Sequence, residues 1–343
     1  MNGVLPNATG YMLCMFYISY ISIVETEQLA CCCGSVKNRK NKQRTIMNKQ
    51  KVLVAGASGY LGRYVVKEFA ERGYAVRALV RNPEKLASEG PNLEPAVSSL
   101  IDEVVRGDAT ERESLKDACK GVDIVFSCMG LTKPQDGVTS EEIDHLGNRA
   151  LLEDALSHGV KKFIYISVFN AQKMMDVDVV KAHEHFVRDL QSAPIPGTVI
   201  RPTGFFSDMG MFLASARSGH MFMLGDGRNH VNPIHGADLA KVCVDAVESS
   251  EKEISVGGPA TYSFNETVDM AFEAVGKNPW ITHIPLWVGD AALFVTGIVN
   301  KPLAGILAFA VSVSGLDNVA PATGTRHLED FYRELAAREG AKA

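Results

Sequence analysis

The chain has 343 residues, is 46% hydrophobic and 22% charged, and carries a formal net charge of −5. That balance excludes a disordered tail, a collagen-like rod and a multi-span membrane protein, and without a basic excess no nucleic-acid partner is expected. The charge is uneven: residues 1–50 sum to +4 and the remainder to −9. Residues 1–24 hold no charged side chain; Cys31, Cys32 and Cys33 follow, then Lys37, Arg39, Lys40, Lys42, Arg44 and Lys49. Two readings of this extension stand. One is an anchoring or sorting segment, with apolar stretch, acylatable cysteines and cations facing anionic lipid. The other is a poorly ordered leader, or sequence upstream of a start at Met47.

From Lys51 short apolar runs alternate with amphipathic stretches. Strands are expected at 51–55, 75–80, 102–107, 122–127, 162–167 and 197–202, with helices at 61–72, 111–119, 140–158 and 178–191. Continuous apolar strands separated by helices make a parallel sheet covered on both faces. The expected fold class is therefore α/β, a doubly wound parallel sheet of the dinucleotide-binding type with a smaller C-terminal substrate lobe. Residues 51–202 form the nucleotide-binding core; 203–343 complete it and build the lobe. A helix is expected at 237–249, and a strand at 253–258. Ser263 to Glu266 is a capping box, and two packed helices are expected in the apolar stretch 286–316. The cysteines of the body, Cys119, Cys128 and Cys243, have no ligand spacing, so neither a disulfide framework nor a metal site is expected.

Between the first strand and helix runs Gly56-Ala57-Ser58-Gly59-Tyr60-Leu61-Gly62. The first glycine permits a tight turn, the second lets backbone approach a pyrophosphate, and the third lets helix and sheet pack closely. Gly56, Ser58, Gly59, Tyr60, Leu61 and Gly62 are accordingly assigned to the cofactor, with the helix N-terminus facing its phosphates. An NAD site places an acid about 20 residues beyond the glycines. Here Arg81 stands at the end of the second strand, and no acid lies between Gly73 and Pro83. A guanidinium there suits a 2′-phosphate, so the expected cofactor is NADP(H). Asp108 and Ala109, after the third strand, are placed to meet the adenine; capping the next helix is an alternative for Asp108.

These residues resemble the atypical short-chain dehydrogenase/reductases of the NmrA-like group. The opening VLVAGASGYLGRYVVKEFAERGYAVRALVRNPEKL carries the resemblance. RPTGFFSDMG, GDGRNHVNPIHGADLA and VGGPATYSFNETVDMAFEAVG resemble a branch that includes the divinyl chlorophyllide 8-vinyl reductases. The likeness covers about 51–340 and implies an NADP-dependent oxidoreductase. It implies catalytic roles for Ser167, as a substrate anchor, and for Lys181, at the nicotinamide ribose, and it places Pro202 and Thr203 beside the nicotinamide. Where relatives carry Tyr-x-x-x-Lys, this chain has Val177 four residues before Lys181. Valine cannot move a proton, so the expected reaction is reduction of a hydrophobic conjugated molecule (C=C or C=O), with Lys181 polarising the developing charge. Phe205, Phe206 and Met209 are expected to line an apolar substrate pocket, with core packing as the alternative. Two other classes of function stay open: a non-catalytic NADPH-binding sensor or assembly factor, and, less supported without Tyr, a nucleotide-sugar epimerase or dehydratase.

Overall fold

The computed structural model describes residues 49–131, 137–299 and 301–340; the apolar, cysteine and basic features of residues 1–48 lie outside the described residues. Apolar runs in the body fold as strands β1 (Lys51–Ala55), β2 (Ala75–Val80), β3 (Glu103–Arg106), β4 (Ile124–Ser127), β5 (Lys162–Ile166) and β6 (Gly197–Pro202). Between them lie helices α1 (Tyr60–Glu71), α2 (Asn148–Ser157) and α3 (Asp178–Ser192). Then come α4 (Phe206–Ser218), β7 (Met221–Leu224), β8 (His230–Val231), α5 (Gly236–Asp245), β9 (Glu253–Val256), β10 (Tyr262–Ser263), α6 (Phe264–Ala274) and β11 (Ile281–Ile284). Helices α7 (Leu286–Val299), α8 (Lys301–Ser314) and α9 (Leu328–Gly340) end the described chain.

Seven strands form one parallel sheet in the order β3-β2-β1-β4-β5-β6-β9. The order reverses between β1 and β4, so the loops leaving these strands diverge and open a crevice at their carboxyl ends. Ala55, the last residue of β1, pairs with Leu79 on one side and Ser127 on the other. One face buries Val52, Val54, Val65 and Phe69 with Leu239 and Val244 of α5. The other buries Leu53, Val125 and Phe163 against Leu151 of α2 and Phe186 of α3. Both faces are dry, which is why these strands lack the polar alternation of a half-exposed sheet.

The remaining segments build the second lobe. Its core joins Phe206, Met209 and Leu213 of α4 to Val268 and Phe272 of α6 and Phe331 and Tyr332 of α9. The capping box is present: the Glu266 amide donates to Ser263 Oγ at 3.2 Å, and the Ser263 amide to Glu266 Oε2 at 2.6 Å. Helices α7 and α8 match the expected pair, and no helix among the described residues is long and apolar enough to cross a membrane.

Two expected helices differ. Residues 111–119 form only a 3-10 turn, Arg112–Leu115. Asp117 adopts φ +60°, and Asp154 of α2 accepts from the amides of Asp117 and Cys119 at 2.9 and 2.8 Å, which diverts the backbone from helical bonding. The stretch 140–158 opens with a π-helical turn, Glu141–Gly147, before α2 begins. Gly147 is tight there: a Cβ would stand 2.7 Å from the Ala109 Cβ, so the loop after β3 rests on this turn.

Candidate functional site: a dinucleotide crevice

The turn out of β1 is built from the glycines. Gly56 takes φ +84°, a left-handed conformation that penalises a side chain. A Cβ there would also stand 2.9 Å from the Cys128 carbonyl oxygen. Gly59 is exposed, and a Cβ on it would touch only the Gly56 oxygen, at 3.3 Å. This second glycine is the open point at which backbone is approachable from the crevice. Gly62 is the tightest: its Cβ would stand 2.1 Å from the Gly56 oxygen. The close approach at the third glycine is between α1 and the loop itself, where helix against sheet was expected.

Neighbouring side chains hold the loop. Arg63 is buried and donates from Nε to the Ser58 carbonyl at 3.0 Å, and from Nη1 and Nη2 to the Ser88 and Lys85 carbonyls. Leu61 is buried in the core. The Tyr60 hydroxyl accepts from the Gly236 amide at 3.0 Å, tying the loop to the start of α5, and its ring packs on Phe205. Burial raises the Tyr60 phenol well above its ordinary value, so it stays neutral as an acceptor.

Arg81 lies exposed just beyond β2. Asp108 accepts from the Thr110 amide and hydroxyl at 2.9 and 2.8 Å. Against a desolvation that would raise it, these bonds and the charge of Arg81 hold the Asp108 carboxyl below its ordinary range. Asp108 thus both caps the turn after β3 and sits within the field of Arg81 at the crevice rim.

At the other half of the crevice the expected residues separate. Lys181 is exposed on α3. Ser167 is buried instead, donating to Glu184 Oε1 at 2.9 Å and accepting from Arg201 Nη1 at 3.2 Å. Arg201 also pairs with Glu184 at 2.5 Å and Glu253 at 2.9 Å. The Ser167 hydroxyl is therefore engaged in an ion-pair network under the sheet end, which corrects its placement as an open substrate anchor. Val177 is buried with Ala171, Met174 and Val180 against Phe309 of α8. The position a tyrosine would hold has become a packing contact with the second lobe.

Thr203 donates to the Asn232 carbonyl at 2.7 Å, and Pro202 closes β6 by accepting from the Phe169 amide at 3.2 Å. Of the aromatic and methionine set, Phe206 and Met209 belong to the core of the second lobe, which corrects their assignment to a substrate pocket. Phe205 is half-buried beside Tyr60 and is the one of the three at the crevice.

Two arrangements escaped sequence reasoning. Asp144 is fully buried and accepts from the Leu131 amide at 2.9 Å, fixing the loop after β4. His183 stands 3.6 Å from it and bonds the Tyr165 hydroxyl through Nδ1 at 2.5 Å. Burial raises the Asp144 carboxyl above its ordinary value, with His183 opposing. The second is Asp238, in the first turn of α5. The cap is His235, whose Nδ1 accepts from the Ala237 amide at 3.0 Å. Asp238, 1% exposed, accepts instead from the amides of Thr325 and Arg326 at 3.0 Å and from the Arg326 guanidinium at 2.7 Å. Spacing along the chain carries no trace of such partners, which lie 87 and 88 residues away.

The open glycine turn, the N-terminus of α1 and the switch-point crevice define a dinucleotide-binding protein of the doubly wound class. The cradle fits that ligand on its own geometry, because only hydrogen-sized side chains leave its amides approachable. Residues 56–250 match a family described as NAD(P)H-binding, and the chain belongs to that family. It is 29% identical over 267 residues to a chloroplastic divinyl chlorophyllide a 8-vinyl-reductase of Arabidopsis thaliana, covering 73% of this chain and 63% of that one. The alignment thus spans less than two thirds of that relative's length. It is 26% identical over 241 residues to the photosystem II assembly factor Ycf39 of Trieres chinensis, covering 69% and 73%. The Citrobacter sp. triphenylmethane reductase complexed with NADP(H) shares the fold, with a TM-score of 0.62 at 21% identity over 83% of this chain and 99% of that one.

Proposed function

We propose that the chain is an NADPH-dependent reductase of a hydrophobic, conjugated small molecule. The observation that carries this reading is the exposed Arg81 at the rim of the glycine turn, where a dinucleotide's adenosine ribose would lie. Its guanidinium matches a 2′-phosphate, with no acid from Gly73 to Pro83 to accept a free 2′-hydroxyl instead. Gly56, Ser58, Gly59 and Tyr60 would hold the pyrophosphate side, Asp108 and Ala109 the adenine, and Lys181, Pro202 and Thr203 the nicotinamide end. NADPH bound there supplies a hydride.

Lys181 is the group offered to stabilise charge developing on the acceptor. With Val177 in the tyrosine position, the chain favours acceptors whose conjugation spreads that charge and lets water deliver the proton. Phe205 supplies an apolar wall. The relatives' names favour a plastid setting.

A second reading, a non-catalytic NADPH-binding assembly factor, is favoured by the burial of Val177 and the engagement of Ser167. Two measurements separate them. NADPH should raise the melting temperature more than NADH at equal concentration, and Arg81→Ala should abolish that preference. NADPH should then be consumed with a panel of enones and divinyl tetrapyrroles, with kcat/KM at least tenfold lower in Lys181→Ala. Equal shifts with both nucleotides would overturn the 2′-phosphate assignment. Tight NADPH binding without turnover across the panel would favour the assembly factor.

A further inference from the structure

Outside the crevice, the π-helical turn Glu141–Gly147 and helix α3 bring two imidazoles and a carboxylate to one point. Glu141 Oε1 lies 2.6 Å from His145 Nδ1, and Glu141 Oε2 lies 3.1 Å from His185 Nδ1. One ligand atom from each of the three residues falls within 4.8 Å of the others. The rings meet edge to face with centroids 5.3 Å apart. We propose that Glu141, His145 and His185 form a binding site for a divalent transition cation of the zinc class, which would join the π-helical turn to α3.

Four features carry the assignment. The donors are two imidazole nitrogens and one carboxylate oxygen, a set that suits Zn²⁺ and its neighbours Co²⁺ and Ni²⁺ and disfavours the hard, oxygen-seeking Mg²⁺ and Ca²⁺. Ligand atoms around a tetrahedral zinc lie about 3.3 Å apart, so spacings that all fall within 4.8 Å need adjustments of no more than about 1.5 Å.

His145 is also backed as metal-bound histidines are. Its other nitrogen, Nε2, meets Asp189 Oδ2 at 2.8 Å, which fixes ring orientation and directs Nδ1 toward Glu141. Finally, π-helical turns are energetically poor and concentrate at functional positions. This one carries two of the three ligands. The Glu141 side chain is 46% exposed, leaving the fourth position to water.

A second grouping, Asp117, Asp154 and His158, has comparable spacing. There the Asp154 carboxylate is already committed to the amides of Asp117 and Cys119. It serves as the internal control.

The test uses the tag-free full chain, stripped with chelator and titrated with Co²⁺ by absorption and with Zn²⁺ by calorimetry. Because Cys31, Cys32 and Cys33 are metal-binding thiols in their own right, the Cys31→Ser/Cys32→Ser/Cys33→Ser variant is titrated in parallel. One equivalent of Co²⁺ should give visible ligand-field bands, and these should survive in the cysteine variant without a sulfur charge-transfer band. Affinity should fall at least tenfold in His145→Ala and in His185→Ala, and stay unchanged in His158→Ala. Asp189→Asn, which keeps every ligand, should weaken binding about 10- to 100-fold. Binding that needs the cysteines, or that is indifferent to His145 and His185, would overturn the site, as would the absence of binding to a chain folded by circular dichroism.

Discussion

Gly62 has no room for even a methyl group, because the Gly56 carbonyl fills the space a Cβ would take. Gly62→Ala must therefore push the loop off α1. A loss of about 1–3 kcal/mol is expected from such overpacking, with dinucleotide affinity reduced more than tenfold because the displaced backbone is the cradle itself. Urea unfolding and NADPH titration on the same variant check both, and wild-type affinity would refute the role given to this position. This glycine and Gly59 were legible because both close on the Gly56 carbonyl, within seven residues of chain, whereas the contact of Gly56 with Cys128 was not. Nor was Ser167. Its hydroxyl is claimed by Glu184 and Arg201, and only the pairing of β5 with β6 and the packing of α3 bring those charges beneath it.

At the scale of elements, the helices that follow the sheet's own periodicity came out as expected, and those shaped by a distant side chain did not. The turn after β3 yields to Asp154, and α5 is capped by a histidine that no capping pattern anticipates. His235 gives α5 a titratable start. Burial, with Arg326 adding to it, lowers this imidazole from 6.5 to about 4. As pH falls through 6.5 the unfolded chain takes up the proton first, so the cap contributes in full above that value. Its contribution then declines as pH falls toward 4. The full loss is on the order of 3 kcal/mol. His235→Asn keeps a side-chain acceptor at the cap but cannot titrate. The stability of wild type relative to this variant should therefore drop between about pH 7 and pH 4 in denaturant series. A constant difference would remove His235 from the account.

Across the whole molecule, the parallel sheet, its crevice and the apolar helix pair α7–α8 could be read from the alternation of strands and helices. The second lobe was legible in composition alone. Its phenylalanines and methionines announce an apolar environment equally well whether they line a pocket or fill a core, and only the placement of α4 against α6 and α9 decides for core at Phe206 and Met209. Position in the sheet also separates its strands in time. The pairing of β1 with β2 and of β2 with β3 spans short crossovers, whereas β9 docks on β6 only after the chain has travelled out through α4, β7, β8 and α5 and returned. Closing so long a detour comes late, because loop entropy opposes it until the rest is in place. In refolding followed by pulsed deuterium labelling, the amides of Val52–Ala55 should gain protection before that of Val256, leaving the sheet's outer margin the last to close.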